Sequence, residues 1–384
     1  MRLTIPQLQL LKILQVVERA VSDRSTLPIL GNILLEVGES NLILTATDLD
    51  VGIQCRFPLA QPMERGAVAL PARKLTTIIR ELPEEPVILE AKKNHTAMIS
   101  CGPSSFRIPG LPAEDFPMLP SPEESDSVTI SQSALKTLIA QTSHAMSMEE
   151  TRFILNGALL TTQAPSTPIF GSAKSGGLAG RHELIMAATD GRRLAVGRAP
   201  LETPATRPLQ CILPAKTVRE LGRLLQGGES DEVTITPLKE NQLTIRFGDV
   251  TIVTRLVEGQ FPQYEQVVPA PSKNTVTCRR QGLIDAIRRA SLMTTATSQA
   301  IVFELGAARL VISKESADLG SAREELEVGY SGEPITVAFN PEFWLDILKA
   351  IDDEEIVIEI AGADRPAVLR QPELLYIVLP MKVS

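Results

Sequence analysis

The sequence has little of what builds metal sites, disulfide frameworks or stacking surfaces. One Trp, three Tyr and ten Phe make up 4% of its 384 residues. That is too few for a platform on which single-stranded nucleic acid stacks. Three isolated histidines, His95, His144 and His182, make a zinc site or a His-based triad improbable. The four cysteines, Cys55, Cys101, Cys211 and Cys278, are scattered with no C-x-x-C pair. They are expected to be reduced, mostly buried thiols of a cytosolic protein. No apolar run approaches the roughly 18 residues of a membrane span. The first residues, Met1-Arg-Leu-Thr-Ile-Pro6, lack the apolar core of a signal peptide, which points away from export. With 43% hydrophobic and 22% charged residues and a net charge of −8, the composition is that of an ordinary globular protein. At roughly 100–200 residues per domain, the length predicts two to four domains.

What is present is a repeat. Residues 70–82, 213–225 and 339–351 each place a proline (Pro71, Pro214, Pro341) between a short apolar run and a helical pattern. Proline is well suited to the first helical position, where its missing N–H costs nothing. Leu75, Ile78, Ile79 and Leu82 then recur at helical spacing. Short β runs follow at 87–90, 233–236 and 356–360, and alternation over 243–247 and 251–256 predicts an antiparallel meander. A second helix opens each unit: Leu8, Leu11, Val17 and Val21; Leu135, Leu138 and Ile139; Leu283, Ile287 and Leu292. After each comes a strand pair, at 29–37 with 42–47, 153–161 with 183–189, and 300–305 with 310–313. The expected fold is therefore α+β, three repeats of two helices packed on antiparallel sheets. The expected domains are 1–122, 128–263 and 265–384. Residues 162–182, rich in Pro, Gly and small polar residues, read as a flexible insertion in the second.

Charge is sorted onto the helices. Five of the six expected helices are net positive although the whole chain is negative. Their cations include Arg73, Lys74 and Arg80; Lys136; Lys216, Arg219 and Arg223; Arg279, Arg280, Arg288 and Arg289. Basic helices on an acidic body suit a polyanion held through its phosphates, salt-sensitive and blind to sequence. Solvated helix faces with incidental basic residues account for the same pattern.

Superficial catalytic signals do not hold. Asp48-Leu-Asp50 resembles a D-x-D metal pair but has no further ligand cluster and reads as a turn or strand-end acid. The segment Gly171-Ser-Ala-Lys-Ser-Gly176 places Ala173 before its lysine, where a Walker loop needs glycine. No G-x-S-x-G elbow occurs. Neither a catalytic site nor a metal or cofactor is expected.

The repeat and its punctuation resemble the bacterial β sliding clamps, the β subunits of DNA polymerase III. The resemblance spans the whole chain. It is carried by Leu27-Pro-Ile-Leu-Gly-Asn-Ile-Leu-Leu-Glu36, Ala46-Thr-Asp-Leu-Asp50, Phe116-Pro-Met-Leu-Pro120 and Thr151-Arg-Phe-Ile-Leu-Asn-Gly157. It continues in Ala188-Thr-Asp-Gly-Arg-Arg-Leu-Ala195, Glu258-Gly-Gln-Phe-Pro-Gln-Tyr264 and Val378-Leu-Pro-Met-Lys-Val383.

The resemblance implies a head-to-tail homodimer, a ring of six clamp domains around duplex DNA. It implies channel contacts from Arg24, Arg73, Lys74, Arg80, Lys136, Lys216, Arg219, Arg223, Arg279, Arg280 and Arg288. It also implies a pocket for a short clamp-binding motif. The partners would be the polymerase III alpha subunit, the clamp loader, other polymerases and repair proteins. The matching pocket positions are Leu155, Thr189, Gly191, Arg192, Arg193, Leu194, Pro262, Val267, Val378, Leu379, Pro380 and Met381. The residues alone would let Leu155, Leu194 and Val267 be plain core. Arg192 stands where the family often has His, which makes the rim more cationic. Glu149, Phe153 and Ile154 stand at family DNA-contact positions without the family's residue types and are not assigned to DNA. The implied function is a non-enzymatic processivity factor, cytoplasmic and without a membrane partner. The alternative is a repeat-built interaction scaffold with no DNA role.

Overall fold

The computed structural model describes residues 1–22, 27–59, 63–120, 126–163, 169–170, 182–203, 205, 207–228 and 231–382. Among them each repeat contains eight strands and two α-helices. The first holds β1 (Arg2–Pro6), α1 (Gln7–Val17), β2 (Asn32–Val37), β3 (Asn41–Thr47), β4 (Val51–Pro58), β5 (Gly66–Pro71), α2 (Ala72–Glu81), β6 (Pro86–Ala91), β7 (Thr96–Cys101) and β8 (Ser104–Pro109). The second holds β9 (Val128–Ser131), α3 (Gln132–Thr142), β10 (Gly157–Thr161), β11 (Glu183–Thr189), β12 (Arg193–Pro200), β13 (Gln210–Pro214), α4 (Ala215–Leu224), β14 (Glu232–Leu238), β15 (Gln242–Phe247) and β16 (Val250–Arg255). The third holds β17 (Thr275–Arg279), α5 (Arg280–Ser291), β18 (Ile301–Gly306), β19 (Arg309–Ser316), β20 (Gly320–Glu327), β21 (Ile335–Phe339), α6 (Pro341–Ala350), β22 (Glu355–Ile360), β23 (Ala367–Arg370) and β24 (Leu374–Val378).

Local chemistry accounts for the helix starts. Pro341 is the first residue of α6, and the Asn340 side chain caps the helix by accepting the Glu342 N–H at 2.9 Å. Pro71 and Pro214 stand one position earlier than expected, as the last residues of β5 and β13. Helix α2 buries Ala72, Leu75, Thr76, Ile78 and Ile79 and exposes Arg73, Lys74, Thr77 and Arg80, the two faces of a 3.6-residue period. Residues 29–31, expected as strand, form a 3-10 turn. Pro28 opens it, and Asn32 Nδ2 donates to the Pro28 carbonyl at 2.8 Å.

Contacts divide the chain into two units, each built around one eight-stranded sheet. One comprises Met1–Gln132 and Arg223–Leu256, the other Ser133–Gly222 and Val257–Ser384. The first unit's large sheet runs β5-β2-β3-β4-β16-β15-β14-β9, and a four-stranded sheet runs β1-β6-β7-β8. In the second unit the large sheet runs β13-β10-β11-β12-β24-β23-β22-β17 and the small one β20-β19-β18-β21. Each large sheet thus joins strands of two repeats through one antiparallel pair. These are β4 with β16 (Val51↔Thr254 to Cys55↔Val250) and β12 with β24 (Arg193↔Val378 to Gly197↔Leu374).

The cores lie between sheets and helices. Helix α1 packs on α2 and α5 on α6. In the third repeat Trp344 is fully buried against Phe303 and Phe339. Part of the segment read as a flexible insertion is anchored. Ile169 is 1% exposed in a cluster with Leu159, Ile185, Leu194 and Tyr264. The carbonyl of Ile169 accepts from Arg370, whose side chain also pairs with Glu359 at 3.0 Å. The Gly171–Gly176 loop lies outside the described residues. Cys55, Cys101 and Cys278 are buried and Cys211 is half-buried. Burial pushes the Cys55 thiol up to about 11 and those of Cys211 and Cys278 up to about 12, so these three sulfurs are poor nucleophiles.

After the last strand of each repeat the chain returns to pair with an earlier one. Leu111 bonds Ala69 of β5, Val257 bonds Ile212 of β13, and Met381 bonds Ala338 of β21. In the first return, a Cβ on Gly110 would stand 2.6 Å from the His95 carbonyl oxygen and 2.7 Å from that of Ala69. Backbone cannot step aside as a side chain can. Gly110→Ala is expected to lower the urea midpoint and cost about 1–3 kcal/mol, read by chemical denaturation of the full chain.

Candidate binding site

The turn between β11 and β12 is a backbone device that the first repeat also uses. Thr189 Oγ1 donates to the Arg193 carbonyl at 2.6 Å and accepts the Gly191 N–H at 3.1 Å. Asp190 Oδ1 accepts the N–H groups of Arg192 (2.8 Å) and Arg193 (3.0 Å). Between β3 and β4, Thr47 and Asp48 make the same four bonds to Leu49, Asp50 and Val51. Asp48 is therefore a turn acid, as its sequence suggested. Gly191 takes φ 84° and Leu49, its counterpart, φ 77°. Glycine adopts that left-handed conformation without the cost a side chain brings.

Beside the second of these turns the predicted pocket residues converge. The Leu379 N–H donates to the Arg192 carbonyl at 2.9 Å, and the Met381 N–H to Ala338 at 2.8 Å. Arg152 Nη1 donates to the Asp190 carbonyl at 2.9 Å, which ties the 152–155 loop to the turn. Ile154 packs on Gly259, at the head of the 259–268 segment. Phe261, Tyr264 and Val268 of that segment pack with Leu194 and Ile377. Leu194 and Val378 are core side chains, at 4% and 0% exposure. Val267 is 65% exposed and Leu379 42%, which is not core behaviour. Pro262 and Arg192 are exposed, while Leu155, Thr189, Pro380 and Met381 are half-buried. The result is a shallow apolar surface with one cationic rim residue, fit for a short apolar segment.

Beneath it lies a cluster of charged and polar groups. Arg193 Nε meets Asp190 Oδ2 at 3.1 Å and its Nη1 meets Asp346 Oδ2 at 2.6 Å. Its guanidinium carbon lies 4.4 Å from the centroid of the Phe343 ring. The Tyr376 hydroxyl donates to the Phe343 carbonyl at 2.7 Å, and burial pushes its phenol pKa up. The His144 ring lies 5.4 Å from that of Tyr376. His144 Nε2 is buried without a partner. Burial, helped by the nearby Arg193 charge, lowers its pKa to about 4.

Among the described residues the predicted channel cations sit on helices, except Arg279, which ends β17 one residue before α5. Arg73, Lys74 and Arg80 share the exposed face of α2. Lys136 on α3 and Arg219 and Arg223 on α4 are exposed, and Lys216 is half-buried. Arg288 on α5 is exposed, 3.9 Å from Asp285. Arg279 lines a cleft of about 740 Å³ with Cys278, Glu327 and Glu355. Arg280 is engaged inside the repeat, donating to the carbonyls of Leu348 (2.9 Å) and Asp353 (2.7 Å) around the end of α6. Arg24 lies outside the described residues. Among the described residues no cluster of His, Cys, Asp and Glu could hold a metal ion, and no helix is long and apolar enough to cross a membrane.

Comparison with known proteins decides between clamp and scaffold. Family models of the DNA polymerase III beta subunit match in chain order: the N-terminal domain over residues 1–120, the central domain over 129–263 and the C-terminal domain over 265–382. The chain belongs to the DNA polymerase III beta subunit family. The beta sliding clamp of Pseudomonas putida is 33% identical over 388 residues, covering 100% of both chains. That of Salmonella typhimurium is 33% identical over 391 residues, again covering 100% of both. The solved sliding clamp of Pseudomonas aeruginosa bound to griselimycin superposes with a TM-score of 0.90 at 32% identity, and that of Bacillus subtilis with 0.90 at 29%, each covering 100% of both chains. The function of this family member is that of a DNA sliding clamp in replication.

Sequence reasoning missed Asp346, His144, Phe343 and Tyr376. Asp346 and Arg193 are 153 residues apart, and no local pattern joins them. Asp190 was within reach, because Thr-Asp-Gly is a turn signal. The His144 environment has a measurable consequence. The folded pKa lies below the unfolded value of 6.5, so the unfolded chain takes up the proton first. His144 therefore costs no stability above about pH 6.5 and erodes it as pH falls from there toward 4. His144→Phe should flatten that part of the curve of melting temperature against pH while leaving acid losses below pH 4.

Proposed function

We propose that two copies of this chain close head to tail into a ring of six domains. Duplex DNA passes through the ring, and partner proteins are tethered at the surface formed by 155, 189–194, 262–267 and 378–381. The reading is carried by two open sheet edges. Within the chain β4 pairs with β16 and β12 with β24. By repeat position β20 is the counterpart of β4 and β12, and β8 of β16 and β24. The β7–β8 and β15–β16 hairpins have the same length, each turning on a glycine at φ 50°, Gly102 and Gly248. Yet β8 and β20 each end a four-stranded sheet.

Pairing β8 of one copy with β20 of the next would build a third eight-stranded sheet on the pattern of the other two. One such edge of each kind per chain lets two contacts close a ring, and closure removes edges that otherwise invite aggregation. Surface chemistry agrees. All five residues of β24 are buried, whereas β8 exposes Ser105, Phe106 and Arg107. The facing edge would be acidic, with Glu325 and Glu327 exposed on β20.

The cations of α2, with Lys136, Arg219, Arg223, Arg279 and Arg288, support backbone contacts that carry no sequence information, as sliding requires. Lys216 and Arg280 are the less available members of the set. The role is a non-catalytic, cytoplasmic processivity function. The polymerase III alpha subunit, the clamp loader, and other polymerases and repair proteins dock at the pocket. Griselimycin, bound by the Pseudomonas aeruginosa relative, is the ligand with which to probe that pocket.

Light scattering at about micromolar protein should give twice the chain mass. Phe106→Asp, which sets a carboxylate beside an acidic edge, should give the single mass. The wild type should stay on closed circular DNA and leave once the circle is cut. Reversing both Arg73 and Lys74 to Glu should shorten retention and reduce its salt slope by about one per lost phosphate contact. A wild-type monomer that does not remain on circular DNA overturns the reading.

A further inference from the structure

The pocket turn is tied to a helix that no sequence signal connects with it. Arg193 opens β12 with its side chain only 11% exposed. It pairs at once with Asp190, whose other oxygen holds the Arg192 and Arg193 N–H groups, and with Asp346 on α6. The Asp346 carboxylate is thus linked to the backbone of the turn through two side chains, Arg193 and Asp190. The other side of the tie is also fixed. Phe343, one turn earlier on α6, carries the Arg193 guanidinium on its ring and gives its carbonyl to Tyr376.

We propose that Asp346 is a positioning residue for partner binding, acting through Arg193 to hold the 189–193 turn in its binding conformation. This rests on reading the adjoining surface as the partner pocket. The physical basis is the geometry of arginine. A guanidinium bridging two carboxylates is fixed in plane and direction by charge-assisted bonds, here with the guanidinium itself shielded and the Asp346 carboxylate 37% exposed. With Asp346 gone, Arg193 loses one of its two carboxylates and keeps Asp190, the Phe343 ring and the Tyr376 hydroxyl, which leaves its direction less tightly set. The turn contains Gly191 at φ 84°, the residue type that gains most freedom when released. A bound segment would then meet the cost of ordering the turn as well as its own. Affinity falls although no atom touching the ligand has changed.

The test uses the full-length protein, isothermal titration with griselimycin, and amide hydrogen exchange. Asp346→Asn should bind griselimycin about tenfold more weakly, the effect of one lost coupling in a contacting network. Exchange should rise at the amides of Gly191, Arg192 and Arg193 and stay unchanged along α6. Asp346→Glu, which restores the charge, should recover most of the affinity. If Asp346→Asn does not fold, Asp346→Ser replaces it, removing the charge without altering a pocket residue, and must give the same loss and the same local exchange. Wild-type affinity and wild-type exchange in the variant overturn the proposal. So does a loss of binding in which exchange rises across the whole unit and Asp346→Glu restores nothing. Failure of the wild type to bind griselimycin would count against the pocket reading itself, and the exchange measurement would still decide whether Asp346 holds the turn.

Discussion

Antiparallel pairing across a repeat junction is the constraint on which the rest depends. Where β4 meets β16 and β12 meets β24, the strands of two repeats become one sheet. A backbone ladder of this kind demands little of side-chain identity but demands that every N–H and C=O be matched. It therefore fixes register and leaves the side chains free to diverge. That is why three repeats of dissimilar sequence keep one architecture, and why each compact unit is cut through the second repeat rather than between repeats. The same rule leaves β8 and β20 unmatched among the described residues, and an unmatched ladder is a strong instruction to associate.

The proposed binding surface grows from that junction. The turn at 189–193 lies at the end of the β12–β24 pair, and its twin at 47–51 lies at the end of β4–β16. Both use Thr and Asp in the same four hydrogen bonds. What distinguishes them is what surrounds the turn. In the second, Arg193 reaches α6, Arg152 reaches the Asp190 carbonyl, and the 259–268 segment lays Tyr264 into the core while leaving Val267 in solvent. In the first, Leu119 lies where a side chain on Gly52 would go. One backbone template thus stands beside a partly exposed apolar surface in one place and a closed junction in the other.

The basic helix faces follow a different logic. Arg73, Lys74 and Arg80 are placed by helical period alone, because Leu75, Ile78 and Ile79 take the core side. Arg280 shows where period is not enough. It belongs to the same class by composition, yet the carbonyls at the end of α6 claim its guanidinium. A count of cations cannot separate the two, since both are arginines near a helix start.

By itself the sequence determined the six helices, the threefold repeat, the turn acid at Asp48, and the family. Periodicity, proline position and turn chemistry are local, so a window of a dozen residues holds them. Short apolar runs located many strands, but their ends moved where Pro28 and Asn32 built a turn in place of strand. Tertiary structure alone decided which strands join the repeats, that Leu194 and Val378 are core while Val267 and Leu379 are surface, and that Ile169 anchors part of a loop. It also brought His144, Arg193, Asp346 and Tyr376 together. These are facts of long-range packing. Two carboxylates become partners of one guanidinium only when a sheet and a helix far apart in the chain meet, and no local pattern records that meeting.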